Sequence, residues 1–438
     1  MTKSSKILFQ AERIIPWVLP LLLLFSRALA DLTLVLIGLL FLYKSYLDCN
    51  WQWSSQPWFK LCLVYFCYLL FVNTPLSINV TDSLSGSFSF MRWPIFAAAL
   101  AYWLFNDAGR QRHFIISLLV ISLFIIFDTW WQYFTREDLF GIAAFSENRL
   151  TGPFRSPVPG TLMLRVVFIL LFAGLLIQPL KRQRNNLLYI FSIVILSLTF
   201  IFITGERMAF LLYSLGTLLV LTGLFFHYPH ARHSVLTGLL IIVMLIISIM
   251  YFNPEATDRI VSSSIDKLSH FADSDYGIVF KAALKAWQTS PLFGSGIGSY
   301  QEYCQQLGIL SEISSQAGFT MKCSHPHNLY LEIATETGAI GLALFSILLL
   351  AIFHAALMPL IRAKNWYALS VSAAILCASF WPFTGGISVL SNWIAALVWL
   401  GVGWVLAMAQ LSTSSSLAKI YSSTVSADSS ERSSTSIA

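Results

Sequence analysis

The chain has 438 residues, 57% of them hydrophobic and only 11% charged, with 34 Phe, 14 Trp and a formal net charge of +6. A soluble globular chain carries about 25% charged residues, so this one cannot cover a water-facing surface, and its aromatic content is too high for a disordered protein. Lipid is its main solvent, and its basic residues, scattered in short loops, form no nucleic-acid-binding run.

In chain order, apolar stretches of membrane-spanning character fall near 14–29, 32–46, 58–73, 89–105, 114–134, 161–178, 187–204, 208–226, 235–252, 328–358, 367–384 and 390–409. They predict an all-α polytopic membrane protein of about twelve transmembrane helices. The first two are short and share the polar hinge Ser26-Arg27-Ala28, which reads as a pair of half-spans or a tight helical pair. The predicted organisation is nine spans over 1–252, one large loop over 253–326, three spans over 327–411, and a Ser/Thr-rich disordered tail over 412–438.

Lys and Arg in short loops set orientation. With both ends on the cytoplasmic side, that side collects Lys44, Lys60, Arg110, Arg112, Lys181, Arg182, Arg184, Arg232, Arg362 and Lys364, whereas the opposite loop 74–88 has no Lys or Arg. Long loops escape the charge rule, and the loop 253–326 balances five basic residues with seven acidic ones. Arg149, Arg155 and Arg207 are different: they sit on the outer side in short connections hard against spans, which points to an anionic ligand there. Cys304 and Cys323 both fall in the large loop. In an oxidising compartment they can close a loop of about 20 residues, worth roughly 3 kcal/mol; free thiols are the equal alternative.

Four outer segments carry chemistry. Asp128-Thr-Trp-Trp-Gln132 precedes Arg149-Leu-Thr-Gly-Pro-Phe-Arg155; guanidinium forks bind phosphate and aromatic rings stack on sugars, though an interfacial aromatic belt with a solvated turn has the same composition. Thr204-Gly-Glu-Arg207 lies between two spans, where Arg207 opens a helix whose amide groups also attract anions, or simply forms a turn. Pro291-Leu-Phe-Gly-Ser-Gly-Ile-Gly298 has glycines for close backbone approach and reads as a turn between loop helices. In Ser324-His-Pro-His-Asn328, Pro326 predicts a helix N-terminus with His327 in its first turn, where the dipole would disfavour a charged imidazole and suit a general base. A capping or packing His is the bland alternative, and a metal site is poorly supported by this spacing. No two outer acids stand out as a glycosidase pair.

HPHNLYLEIATETGAIG resembles the signature of the O-antigen ligase and polymerase superfamily: His327-Asn328, nine residues, then Gly338-x-x-Gly341. PLFGSGIGSY, RLTGPF and an Arg opening a middle span are also similar to it. The resemblance implies a GT-C-type glycosyltransferase of the bacterial inner membrane, working at its periplasmic face on a glycan carried by undecaprenyl pyrophosphate, without metal, nucleotide or other cofactor. It places the functional Arg at Arg207 and the loop His at His327, with Asn328, Arg149 and Arg155 as substrate-binding candidates. A further loop Arg of the family is missing from Asp275–Lys281, so Arg259 or Lys281 is the candidate for the second phosphate contact. The acceptor expected is lipid A-core or a growing glycan, in a setting of membrane lipids. A polymerase, a protein O-glycosyltransferase and, in a different class, a polysaccharide or lipid transporter are the alternatives.

Overall fold

The computed structural model describes residues 3–172, 183–310, 323–383 and 388–413. Among them every regular element is helical. Eight helices are long and apolar enough to cross a membrane, by length and composition. The tail from 414 onward and the Lys181–Arg182 connection lie outside the described residues.

The N-terminal half is a run of capped helices. α1 (Lys3–Phe25) and α2 (Arg27–Leu47) are separated by Ser26, whose hydroxyl accepts the Leu29 N–H. The polar hinge is therefore an N-cap, and both helices are full length; they are not half-spans. α3 (Pro57–Tyr68) starts on a proline and ends in a widened turn, Leu69–Asn73. α4 (Val80–Ala99) begins well before the apolar stretch that announces it, because Asn79 caps it through the Asp82 N–H. α5 (Ala108–Thr135) is capped by Asp107. α6 (Pro159–Leu170), α7 (Gln183–Ile203), α8 (Arg207–His227) and α9 (Arg232–Phe252) complete this half.

The large loop is itself folded: α10 (Pro254–Thr257), a wide turn Asp258–Ser262, α11 (Ser263–Ser269), α12 (Asp275–Thr289) and α13 (Tyr300–Gln306). A small core of Ile278, Ala282, Ala283, Ala286, Tyr300 and Leu310 holds it, and Cys304 and Cys323 are joined in a disulfide. α14 (Leu329–Arg362), α15 (Trp366–Phe380) and α16 (Asn392–Thr413) follow.

α16 is the axis of the bundle, with 89% of its span buried against other helices, whereas the span ending in α9 is 11% buried. The outer face of α9 carries Leu236, Leu240, Ile241, Met244 and Ile247 exposed. In water that stripe would be an association surface; on a membrane helix it is the face turned to lipid. Loops expected on a common side do share an end: Glu12 pairs with Lys44 and Arg110 at one, and the large loop meets the 146–150 and 204–207 turns at the other.

Candidate functional site

The site is assembled at the large-loop end from turns that the backbone fixes first. Gln132, fully buried near the end of α5, accepts from the N–H groups of Thr151 and Gly152 (2.9 Å each) and donates to Ile142 O and Thr151 Oγ1. All four of its hydrogen bonds are spent pinning the loop that carries Arg149. Leu150 N–H then donates to Thr204 O, laying that loop on the turn before α8. Gly205 in this turn has φ +71, and a Cβ there would strike Asn148 O. The glycine of Thr-Gly-Glu-Arg is thus a requirement of packing.

Glu206, 9% exposed, accepts from the Gly160 N–H (2.6 Å), the Thr161 N–H (3.0 Å) and the Thr161 hydroxyl at the start of α6. Burial outweighs these bonds and the nearby Arg149, pushing its carboxyl up to about 7. Its negative charge is therefore weak at neutral pH. Beside it, Arg207 donates from Nε to Arg259 O (2.8 Å) and from Nη2 to Ser263 Oγ (2.9 Å), while Arg259 Nε donates to Gly205 O (2.9 Å). The two arginines hold each other's backbone segments. Partial burial, then Arg207, then Arg149 lower the pKa of Arg259. Arg149 lies 5.4 Å over the Phe145 ring, and its Nε is buried without a partner. Three guanidinium groups thus gather around one half-neutralised carboxylate. Such a cluster has the chemistry to bind an anion.

His327 reaches the same region through Tyr276. Their rings are 5.2 Å apart edge to face, His325 lies 4.2 Å from His327, and Lys267 Nζ stands 5.6 Å over Tyr276. Tyr276 is also close enough to Arg259 to interact with it electrostatically. Contrary to the sequence expectation, His327 is not in the first turn of a helix. It has φ +53 and lies one residue before Asn328, whose side chain caps α14 by accepting the Leu331 N–H (3.0 Å). An Asn cap outcompetes Pro326 as the start signal because it satisfies an N–H that would otherwise be orphaned. The segment is further anchored by the Leu329 N–H to Pro382 O (2.9 Å).

The nine residues between His-Asn and Gly-x-x-Gly form one helical arm, Leu329–Thr337, broken at Gly338 with φ +69 and ψ −177. That conformation is essentially reserved for glycine, and a Cβ there would strike Leu292 O. Into the break docks the Pro291–Gly296 loop: the N–H groups of Ser295 and Gly296 donate to Thr335 O and Glu336 O, and those of Ala339 and Ile340 to Pro291 O and Leu292 O. From α3 and its end, Tyr68 OH donates to Thr337 O (2.6 Å) and Asn73 Nδ2 to Glu336 O (2.9 Å). Interrupted helix is tolerated at membrane depth only when protein satisfies the freed groups. Here it does.

Residues 191–346 match the family model of the O-antigen ligases. Over that stretch the chain is similar to the O-antigen ligases. The matched stretch runs from α7 to the first part of α14 and contains Arg207, Arg259, His327, Asn328 and both signature glycines. No curated protein matches the chain. Members of the O-antigen ligase family are glycosyltransferase-like enzymes, ligases or polymerases, acting on lipid-linked glycans.

Of the residues singled out from sequence, Arg149, Arg207 and Arg259 form the cluster, and His327 joins it through Tyr276. Arg155 stands exposed in the turn after Phe154, and Lys281 is exposed on α12; among the described residues no hydrogen bond ties either to the cluster. Glu206, Tyr276 and Lys267 were missed. Glu206 was readable only as half of a turn, and Tyr276 sits in the stretch searched for an arginine. The statement that no outer acids are juxtaposed is also corrected: Glu332 and Glu336, one helical turn apart on α14, are both buried and line one cavity. Their i, i+4 spacing was the signal.

Proposed function

We propose that this protein is a glycosyltransferase that moves a glycan from undecaprenyl pyrophosphate onto lipid A-core at the periplasmic face of the bacterial inner membrane. The observation that carries the reading is the gathering of Arg149, Arg207 and Arg259 beside Tyr276 and His327, in a chain similar to the O-antigen ligases over residues 191–346.

In the proposed step, His327 accepts the proton of an acceptor hydroxyl as its oxygen attacks the anomeric carbon of the donor sugar. The bond from that carbon to the pyrophosphate oxygen breaks, and its electron pair leaves with the pyrophosphate. The arginines stabilise the charge that grows there, electrostatic catalysis aimed at the leaving group. Attack from the face opposite the pyrophosphate inverts the anomeric centre.

The test is the lipopolysaccharide profile of a deletion strain. Bare core with accumulating long lipid-linked chains is expected for a ligase. Core bearing a single repeat would replace this reading with a polymerase, and an unchanged profile with normal donor pools would remove both. Complementation with Arg207→Lys should restore ligation only in part, since a point charge cannot reproduce a fork that bonds from both Nε and Nη2.

A further inference from the structure

A cavity of about 410 Å³ opens between the Leu329–Thr337 arm and helices α3, α4 and α16, and its wall is unlike the arginine cluster. Glu332 and Glu336 both line it, and among the described residues of its wall there is no Lys or Arg. Glu332 receives one hydroxyl, that of Ser388, shared between its two oxygens at 2.9 Å each. Glu336 Oε1 receives the Tyr300 N–H at 3.2 Å. Both carboxylates keep lone pairs that the protein leaves open. Two donors on the same wall are equally unspent: Trp93 Nε1 and Tyr300 OH are buried without a partner, on side chains 7% and 2% exposed.

Buried donors and acceptors left unmet are costly, so the wall is built for a ligand that supplies both. A phosphate would meet no cation on this wall. An acyl chain would leave every one of these polar groups unmet. A sugar ring fits: it has hydroxyls that both donate and accept, and apolar faces for Trp93 and Trp399. Two residues of its wall, Ser324 and Leu329, lie three residues before and two after His327 in the sequence.

We infer that this cavity is the acceptor subsite, taking a neutral or amino sugar at the end of the acceptor and holding its hydroxyl toward His327. This rests on the glycosyltransferase reading above and adds a division of labour. The arginine cluster selects the donor by its phosphates, and the cavity takes a phosphate-free sugar at the end of the acceptor.

The full chain in lipid nanodiscs tests this by equilibrium binding of two probes, lipid A-core and undecaprenyl pyrophosphate. Glu332→Gln and Trp93→Phe should each weaken lipid A-core binding about tenfold, the scale of one buried hydrogen bond, while undecaprenyl pyrophosphate binding stays within about twofold and certifies the fold. Ser388→Ala is the milder companion and should shift binding in the same direction. Unchanged lipid A-core affinity in the cavity variants overturns the inference. So does lipid A without core sugars binding as well as lipid A-core, which would make this a lipid pocket, and so does failure of the wild type to bind lipid A-core. Glycan transfer by the wild type is read separately. Transfer with insensitive cavity variants removes the subsite and leaves the enzyme; sensitive variants without any transfer remove the enzyme and leave a sugar site.

Discussion

His327 occupies the left-handed region, a conformation that costs a non-glycine residue on the order of 1 kcal/mol or more and that Asn tolerates better than most. His327→Asn should therefore keep the fold, with a Tm close to wild type in detergent, while losing roughly 10²–10⁴-fold in transfer, the range of one general base. Normal transfer by this variant would leave His327 a purely structural role. Glu206 offers a test in pH. Its carboxyl lies at about 7 in the folded protein against an ordinary value near 4.5, so the folded state binds the proton more tightly than the unfolded one. Stability from this group is full below about pH 4.5 and falls as pH rises through about 7. Relative to wild type, Glu206→Gln should show a Tm that is flatter across pH 5 to 8; parallel curves would contradict the buried-acid description. Arg207, His327 and Arg259 could be named from residue type and position. Glu206 and Tyr276 could not, because neither burial nor a contact between residues 276 and 327 has any trace in local sequence.

At the scale of elements, the broken helix is the part that sequence pattern described least well. A mean hydropathy suited to one long span runs through 328–358 and hides the change at Gly338, although the glycine spacing marked where to look. The loop Pro291–Gly296 read as a turn, and it is one, but its partners are the carbonyls of another helix more than 30 residues away. Gly338→Ala should be among the most damaging single changes, combining the strain of its dihedrals, about 1–3 kcal/mol, with a clash on Leu292 O. Gly298→Ala is the matched control. Its φ is also positive, at +78, but nothing lies within 4 Å of the added methyl. Thermal melts in detergent should show a much larger loss for Gly338→Ala, and equal losses would mean that the clash is relieved by local movement.

For the molecule as a whole, periodicity and length located nearly every helix, and residue type on its own left the count of crossings at eight clear cases plus shorter apolar helices. Whether the first two helices were half-spans or a tight pair was left open for want of one observation, the Ser26 hydroxyl on the Leu29 amide. Helices in the large loop were expected around its glycine turn, but the small core that joins them was not legible, since it is built from residues spread over three helices. The disulfide between Cys304 and Cys323 closes that core on the arm carrying His327. Thiol labelling of denatured protein should reach Cys49, Cys62, Cys67 and Cys377 without reduction and Cys304 and Cys323 only after it. Labelling of all six at once would mean that the bridge does not form in the cell.

Arg207 and Arg259 are held close by backbone carbonyls, with Arg149 beside them, so three cations gather whose mutual repulsion a bound pyrophosphate would relieve. The cluster reads phosphate and nothing beyond it, so it has no means of preferring a loaded carrier to a spent one. The spent carrier, with more negative charge on its terminal phosphate, should bind at least as well. On the proposed reading, departure of that carrier sets the pace of repeated turnover: a first round faster than the steady rate, and competitive inhibition by free undecaprenyl pyrophosphate. Whatever removes the spent lipid from the membrane would then govern the enzyme's output as directly as the supply of donor does.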